Sequence, residues 1–296
     1  MDTLESLHRQ MESAHSLQGV VRTMKALSMA SIRQCEQAAS AIDNYEHTVR
    51  RGLQGALRHR LRDQSDTREA EGAPAAVLVF GSTWGMCGRF NEQLAQDAAE
   101  HLQRLSDEDA SAVTLLAFGD YVGGALAAAG HPPDQQTAGP ESVEGITRRV
   151  QDTLIRVEAW RATDGVERIH LLHNHLLSGT QYALRKTTLL PLDQGWLDAL
   201  EAEPWPTNQV PMVRGAWNDV FAALVRQYLF VSVYRAFAAS LASEHSSRLA
   251  AMQRAESNVE ERLDRLHMQY HQQRQTAITE EVLDVTAGYT AAKRLR

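Results

Sequence analysis

The order of apolar and polar positions predicts a long amphipathic helix at each end of the chain. From Ala216 to Ala287 the sequence has no proline or glycine and is rich in residues that lose little side-chain freedom in a helix. Its apolar residues recur at alternating steps of three and four, through Val231, Leu241 and Val259, which is typical of a coiled-coil seam. We therefore expect one unbroken helix that packs against a partner helix.

The first 60 or so residues carry the same kind of spacing and no proline. The spacing begins at Leu4, slips near Gly19 and resumes at Ile32. If this helix runs antiparallel to the C-terminal one, residues 1–60 and 212–290 form one two-stranded coiled-coil unit. The rest of the chain must then fold as an insert between them.

The middle of the chain, residues 75–192, changes to short apolar runs that alternate with helical spacing. Such alternation indicates an α/β layer with a mostly parallel sheet, here an inserted Rossmann-like domain. The class expected for the whole chain is therefore α+β with an α/β insert. The proline-rich stretch from Asp193 to Pro211 is expected to be an irregular connection. The expected strands are Ala75–Phe80, Val113–Phe118, Arg168–Leu172 and Tyr182–Leu190.

The segment from Arg58 to Pro74 interrupts these elements with a dense mixture of charges. Arginines alternate with acidic residues, and the pattern favours a solvated linker. An alternative interpretation is that its arginines dock an acidic partner.

Composition excludes several functional classes. A net charge of −7 argues against a nucleic-acid binder, and two cysteines far apart in sequence support no disulfide framework. The N-terminus has no signal-peptide pattern. The most apolar stretch, Val220 to Ala242, contains Arg226 and Arg235, so we interpret it as a packed core helix and expect membrane contact only through partners.

The candidate catalytic and ligand-binding patterns of the insert are incomplete. The loop from Gly81 to Asn91 follows a strand, but it has neither the G-x-G-x-x-G spacing nor a P-loop lysine. The neighbouring His170, His173 and His175 lack a further metal ligand at a useful spacing, and no base is placed beside Cys87. We therefore expect no catalytic residue, no cofactor and no metal site.

Several segments together resemble one family, the gamma subunits of F-type ATP synthases. Residues 242–258, ASEHSSRLAAMQRAESN, look like that family's ASE-x-x-x-R-x-x-AM-x-x-A-x-x-N signature, and RQTAITEE at 274–281 is similar to its RQ-x-x-IT-x-E end. Thr23 and Met24 lie where the family has an Ala-Met pair. Thr83, Trp84 and Arg89 depart from the family loop GSDQGLCGGFN, which suggests a divergent branch. The loop residues that match are Gly81, Ser82, Gly85, Cys87, Gly88, Phe90 and Asn91.

The resemblance implies a rotor shaft rather than an enzyme. In that family the coiled coil is the central stalk, which couples ion flow through the membrane sector to ATP synthesis or hydrolysis at the beta subunits and regulates ATPase activity. The implied partners are the alpha, beta and epsilon subunits and the c-subunit ring, at the cytoplasmic face of the plasma membrane. The implied beta-subunit contacts are Met24, Arg274, Gln275, Thr279 and Glu281.

Two other functions are compatible with parts of the sequence. A coiled-coil scaffold or adaptor without an ATPase partner would share the helices, but it does not account for the 81–91 loop together with Arg274 and Gln275. A nucleotide-dependent enzyme would need a phosphate-binding loop that the insert lacks.

Overall fold

The structure is a computed structural model that describes residues 3–59, 72–107, 112–205, 207, 209 and 215–294, with side chains as far as residue 287. Most of the predicted linker between Arg58 and Pro74 lies outside the described residues. The elements follow the chain as α1 (Leu4–Arg58), β1 (Ala75–Phe80), α2 (Phe90–Asp107), β2 (Val113–Phe118), α3 (Asp120–Ala128), β3 (Gln135–Thr137), α4 (Val143–Thr163), β4 (Arg168–Ser178), β5 (Gln181–Leu190), α5 (Gln194–Ala202) and α6 (Trp217–Arg294).

The first helix, α1, is continuous through Gly19, as predicted, and the slip is confined to the spacing of its apolar residues. Its less exposed positions include a series with alternating steps of three and four, which between Ala14 and Ile32 runs through Gln18, Val21, Lys25 and Ser28. The periodicity is therefore unbroken, and only the chemistry at these positions becomes polar. Apolar residues taken alone suggest a shift in register there, because the polar seam positions drop out of the pattern.

The five-stranded sheet confirms the predicted α/β layer. Its strand order is β3-β2-β1-β4-β5, with parallel pairing from β3 to β4 and antiparallel pairing between β4 and β5. Strand β1 lies in the centre and all of its residues are buried, as expected for a parallel strand with both faces covered. One face packs under α2 and α3, and the other under α4 and α6.

Two elements were not predicted, β3 and α5. Strand β3 has three residues, too few to show a period, and it pairs with β2 at the edge of the sheet. Helix α5 lies where an irregular connection was expected. The side chain of Asp193 accepts a hydrogen bond from the backbone N–H of Trp196, which caps α5, and Leu197 and Leu200 are buried with Leu53 of α1.

The chain divides into two units, Met1–Leu27 with Leu249–Arg296, and Ser28–Arg248. In the first unit, contacting residues descend along α6 as they ascend along α1. Arg262 donates to Gln10, Gln18 donates to Glu260, and Glu256 pairs with both Arg22 and Lys25.

The second unit shows the same descending order of contacts between its parts of α1 and α6. Arg235 pairs with Asp43, the hydroxyl of Tyr45 donates to Gln227, and the indole N–H of Trp217 donates to the carbonyl oxygen of Ala56 at 2.7 Å. A Cβ at Gly52 would lie 2.7 Å from a methyl carbon of Leu224, so the two helices approach closely there.

Among the described residues, α6 is the one helix long and apolar enough, by length and composition alone, to cross a membrane. That test is also passed by core helices of soluble proteins. The most apolar part of α6 packs in the core beside the sheet, through Leu229, Val233, Ala236, Phe237 and Ala238.

Buried histidines make the stability of the second unit depend on pH. Burial lowers the pKa of His173 to about 4, and burial likewise lowers the pKa values of His101 and His245 to about 4. An unfolded chain has a histidine pKa of about 6.5, so it binds protons more readily than the folded chain between these values. Stability is therefore lost as pH falls from about 6.5 towards about 4.

We predict that His173 lowers the free energy of unfolding by about 1–2 kcal/mol between pH 7 and pH 5. Denaturant unfolding at the two pH values measures it. A His173→Gln variant should lose less stability on acidification than the wild type. The matched control is His47→Gln, at an exposed position on α1. An unchanged pH dependence in His173→Gln would contradict this assignment.

Candidate functional site

The loop between β1 and α2, residues 81–89, makes a tight turn that glycine permits. A Cβ at Gly81 would lie 2.3 Å from Cβ of Val122, a distance that no packed side chain allows. Gly88 has a φ of 61°, in the left-handed region that favours glycine. The glycines thus let the loop pass against α3 and turn into α2.

Asn91 and Ser82 hold the two ends of this loop together. The backbone N–H of Ser82 donates to Oδ1 of Asn91 at 3.0 Å, and Nδ2 of Asn91 donates to Oγ of Ser82 at 2.8 Å. Cys87 is buried beside them, with its Sγ 3.5 Å from each of these side chains. Burial raises the pKa of the Cys87 thiol, which disfavours the thiolate that a nucleophile requires.

Helix α6 fastens the same loop through its hydroxyl groups. Oγ of Ser240 donates to the carbonyl oxygen of Phe80 at 2.6 Å, and Oγ of Ser247 donates to the carbonyl oxygen of Cys87 at 2.6 Å. These bonds join the end of β1 and the loop to one face of α6. The two backbone carbonyl groups gain hydrogen-bond partners in this way.

Arg248 completes the attachment. Its Nη2 lies 3.3 Å from the carbonyl oxygens of both Trp84 and Gly85, and 2.6 Å from Oε1 of Glu244. Glu244 and Arg248 are each 7% exposed, so the pair is buried. Desolvation raises the pKa of Glu244, and the neighbouring guanidinium opposes this shift. The sequence signature contained both residues, but their joint contact with the loop was not predicted.

The attachment closes the place where doubly wound α/β folds usually bind ligands, the crevice at the carboxyl ends of the strands where strand order reverses. In this sheet the reversal lies between β1 and β4. Ser240 of α6 bonds the carbonyl oxygen of Phe80 at the end of β1, and Leu241 packs with Leu176 of β4. The cavity that Ser240, Leu241 and Glu244 share with Phe80 and Phe118 lies at the carboxyl ends of β1 and β2 and measures about 10 Å³. A cavity of that size has room for about one water molecule, and a nucleotide does not fit in it.

The three candidate metal-ligating histidines have different partners, and they do not form one metal site. Nδ1 of His173 lies 3.1 Å from the carbonyl oxygen of Asn174, and Nδ1 of His175 lies 2.9 Å from that of Ala183. Nδ1 of His170 lies 3.4 Å from Oγ1 of Thr188, and its ring contacts the ring of His101, with centroids 5.0 Å apart. Within the described part of the chain, no three histidine, cysteine, aspartate or glutamate side chains form a group able to hold a metal ion.

The tip of the loop faces solvent. Trp84 is 62% exposed and Met86 is 56% exposed, while the neighbouring Ser82 and Cys87 are buried. The loop therefore has a buried inner side and an outer side that carries two large apolar side chains. Trp84 and Arg89, two of the departures from the family pattern, both belong to the exposed set.

The second group of predicted site residues lies on the exposed C-terminal part of α6. All of its members there are exposed, namely Arg274, Gln275, Thr279 and Glu281, and Met24 of α1 is half-buried. Adjacent helical residues point about 100° apart, so Arg274 aligns with Glu281 and Gln275 with Thr279 on neighbouring lines of the helix surface. The hydroxyl of Thr279 donates to the carbonyl oxygen of Gln275 at 2.8 Å.

Ala277 and Ile278, which lie between these residues, are both exposed, so neither is buried against α1. The last half-buried residue of α6 among residues 271–287 is Gln273, and every residue from Arg274 to Ala287 is exposed. This segment carries an apolar stripe that was not predicted. Ile278, Val282 and Val285 are 51%, 58% and 69% exposed and recur at steps of four and three along the helix.

Comparison with known proteins supplies the family. A family model described as ATP synthase matches residues 3–292. The ATP synthase gamma chain of Thermobifida fusca (strain YX) is 29% identical over 300 residues, covering 97% of this chain and 96% of that protein.

Solved structures agree on the fold. The Euglena gracilis mitochondrial ATP synthase rotor in rotational state 1 matches with a TM-score of 0.61 at 14% identity, over 93% of this chain and 98% of the matched chain. The OSCP/F1/c-ring structure from the same organism, in rotational state 3, matches with a TM-score of 0.64 at 15% identity, over 97% and 94% of the two chains. Since the family model covers nearly the whole sequence, the chain belongs to the ATP synthase family, alongside its gamma chains.

Proposed function

We propose that this chain is the gamma subunit of an F-type ATP synthase or ATPase, the rotor shaft of its central stalk. The observation that carries the proposal is the exposed C-terminal segment of α6, where Ile278, Val282 and Val285 form an apolar stripe open to solvent. A folded protein seldom leaves such a stripe uncovered unless a partner covers it. Because the chain resembles ATP synthase gamma chains, we propose that the partner is another subunit of that complex.

The subunit is non-catalytic in this proposal. It couples ion flow through the membrane sector to ATP synthesis or hydrolysis at the beta subunits. Each angular position of the shaft favours a different conformation of the catalytic sites, so torque acts as a shift in the populations of those conformations. The packing of α6 against the ligand-binding edge of the sheet supports a structural role for the inserted domain.

The partners proposed are the alpha and beta subunits around the shaft, with the epsilon subunit and the c-subunit ring at its base. One of the matched structures is an assembly of OSCP, F1 and c-ring, which supports this set. The subunit then lies at the cytoplasmic face of the plasma membrane as a peripheral component, and α6 does not itself cross the membrane.

The complex itself provides the test of this function. We expect a tagged chain purified from its own cells to recover the alpha and beta subunits together with ATPase activity. Mass spectrometry and an ATP hydrolysis assay measure both. Recovery of the intact chain without alpha and beta subunits would overturn the rotor and favour the coiled-coil scaffold.

We further propose that α1 and α6 pair as an antiparallel two-stranded coiled coil, with residues 1–60 and 212–290 as one unit and residues 75–192 as the inserted domain. The support is the descending order of contacts within each unit, together with the steps of three and four along α1.

Cross-linking separates this pairing from other arrangements. Gln18 contacts Glu260, so we predict that the Gln18→Cys/Glu260→Cys variant is linked within the chain by a short bismaleimide. The control pair is Gln18→Cys/Glu261→Cys, because Glu261 is exposed and points about 100° away on α6. Equal yields from the two pairs would refute the proposed register.

The proposed beta-subunit contacts are Met24, Arg274, Gln275, Thr279 and Glu281. Arg274 is suited to an angle-dependent contact because its planar guanidinium holds carboxylate or carbonyl oxygens in a defined direction. Since all four residues on α6 are exposed, a partner can reach them without unfolding the shaft.

We predict that Arg274→Ala/Gln275→Ala leaves the complex assembled and lowers its ATPase turnover. Angle-dependent coupling of about 1–3 kcal/mol corresponds to a bias of roughly 5- to 150-fold, so a loss of about fivefold or more is expected. The control is Gln253→Ala/Arg254→Ala, an exposed pair of the same residue types on α6. Full turnover in the first variant, or equal losses in both, would count against the contact, and failure to assemble would make the pair structural.

A further inference from the structure

Two histidines that are far apart in sequence meet where α2 packs on the sheet. The ring centroids of His101 on α2 and His170 on β4 lie 5.0 Å apart, with the ring planes at 78°. We call His101 and His170 the histidine pair. The sequence-based expectation of no metal site compared His170 only with its neighbours along the chain, because the contact with His101 exists only in the fold.

One ring nitrogen of the pair has no counterpart in the protein. Nε2 of His101 is buried, and none of the described residues provides it with a hydrogen-bond partner. Buried polar side-chain atoms almost always have a partner, so an exception in a native fold points to a water molecule or an ion at that place. Both rings are half-buried, which leaves a path from solvent to the pair.

His101 is in the protonation state that metal binding requires. Burial, followed by the neighbouring His170, Lys186 and Arg104, lowers the pKa of His101 to about 4. A neutral imidazole is the form that ligates metal ions, so at pH 7 this ring has no proton to lose before an ion binds.

The charges around the histidine pair include both signs. Desolvation and Arg104 lower the pKa of Lys186, and Asp97 and Glu100 of α2 oppose that shift. Asp97 lies one helical turn before His101, on the same line of α2. Two carboxylates thus accompany the two cationic side chains, and the cluster has no positive excess that would repel a divalent ion.

We propose that the histidine pair binds a divalent transition-metal ion, represented by zinc, which joins α2 to β4. Imidazole nitrogens are common zinc ligands, and a ligating histidine usually has a partner at its second ring nitrogen, as His170 has in the hydroxyl of Thr188 at 3.4 Å. Within the described part of the chain no third side chain completes a ligand set. Water therefore fills the remaining positions, and the ion exchanges with solvent. The site does not depend on the ATP synthase partners.

The test is a zinc chloride titration of the chelator-treated full-length chain, without a polyhistidine tag, at pH 7. Calorimetry should show one saturable site, and His101→Gln and His170→Gln should each weaken zinc binding by about tenfold or more, the loss typical of a disturbed metal site. With zinc at about ten times its dissociation constant, the melting temperature of the wild type should rise by about 3–6 °C. The two variants should not show this rise.

His47→Gln is the matched control, because His47 is exposed on α1 and should not affect zinc affinity. If one ion needs both rings, the double variant of the histidine pair should bind zinc no more weakly than either single variant. Crystals soaked in zinc test the site without any substitution, because an anomalous-scattering peak should lie about 2.0–2.1 Å from Nε2 of His101.

Three results would overturn the site. The first is wild-type chain that shows no saturable zinc binding, which would assign the place beside Nε2 of His101 to water. The second is zinc binding that persists unchanged in both single variants of the histidine pair, which would assign it to other surface histidines. The third is an anomalous peak elsewhere on the chain and none at the pair.

Discussion

The buried contact between Arg248 and the 81–89 loop is the interaction on which the second unit depends. One guanidinium group reaches Glu244 and the carbonyl oxygens of Trp84 and Gly85, while Ser240 and Ser247 bond two more carbonyls nearby. A buried ion pair is tolerated when its remaining hydrogen-bonding positions are satisfied, and removing one partner typically costs about 3–5 kcal/mol. The orientation of the loop on α6 is therefore specified by directional bonds and not by apolar packing alone.

This arrangement explains how a Rossmann-like sheet can serve as a structural module. The edge of the sheet that binds a ligand in related topologies is contacted by the chain's own helix, and the cavity between that helix and the ends of β1 and β2 is about 10 Å³. The glycines of the loop remain because the turn between β1 and α2 passes close to Val122, not because a phosphate group must approach the backbone. In other proteins this geometry favours the binding of a cofactor. In this chain it anchors α6 to the inserted domain.

The two units use different means to hold α1 beside α6. In the second unit, the contacts are supplemented by a close approach at Gly52 and by the small apolar core around Leu53. In the first unit, polar residues occupy several of the seam positions of α1, and Glu256 forms ion pairs with both Arg22 and Lys25. Polar seam residues fix register at some cost in stability, which suits a helix pair that must keep its alignment.

The sequence by itself determined the elements whose signal is periodic. The absence of helix breakers in α6, the steps of three and four in α1 and the apolar runs of β1 and β2 each follow from local propensity, so those elements were predicted with nearly the observed bounds. The sequence also determined the family, because its motifs are local strings such as residues 242–258.

Only the tertiary structure decided what depends on contacts between distant residues. Helix α5 forms among prolines because Leu197 and Leu200 bury against α1, and β3 exists because β2 offers its edge. The partnership of Arg248 with carbonyls about 160 residues earlier leaves no periodic trace, since a carbonyl is present at every residue. The register of α1 near Gly19 was missed for a related reason. Most of its seam positions there are polar, and the burial of Val21 and Ser28, together with the ion pairs to Glu256, shows which side of the helix faces inward.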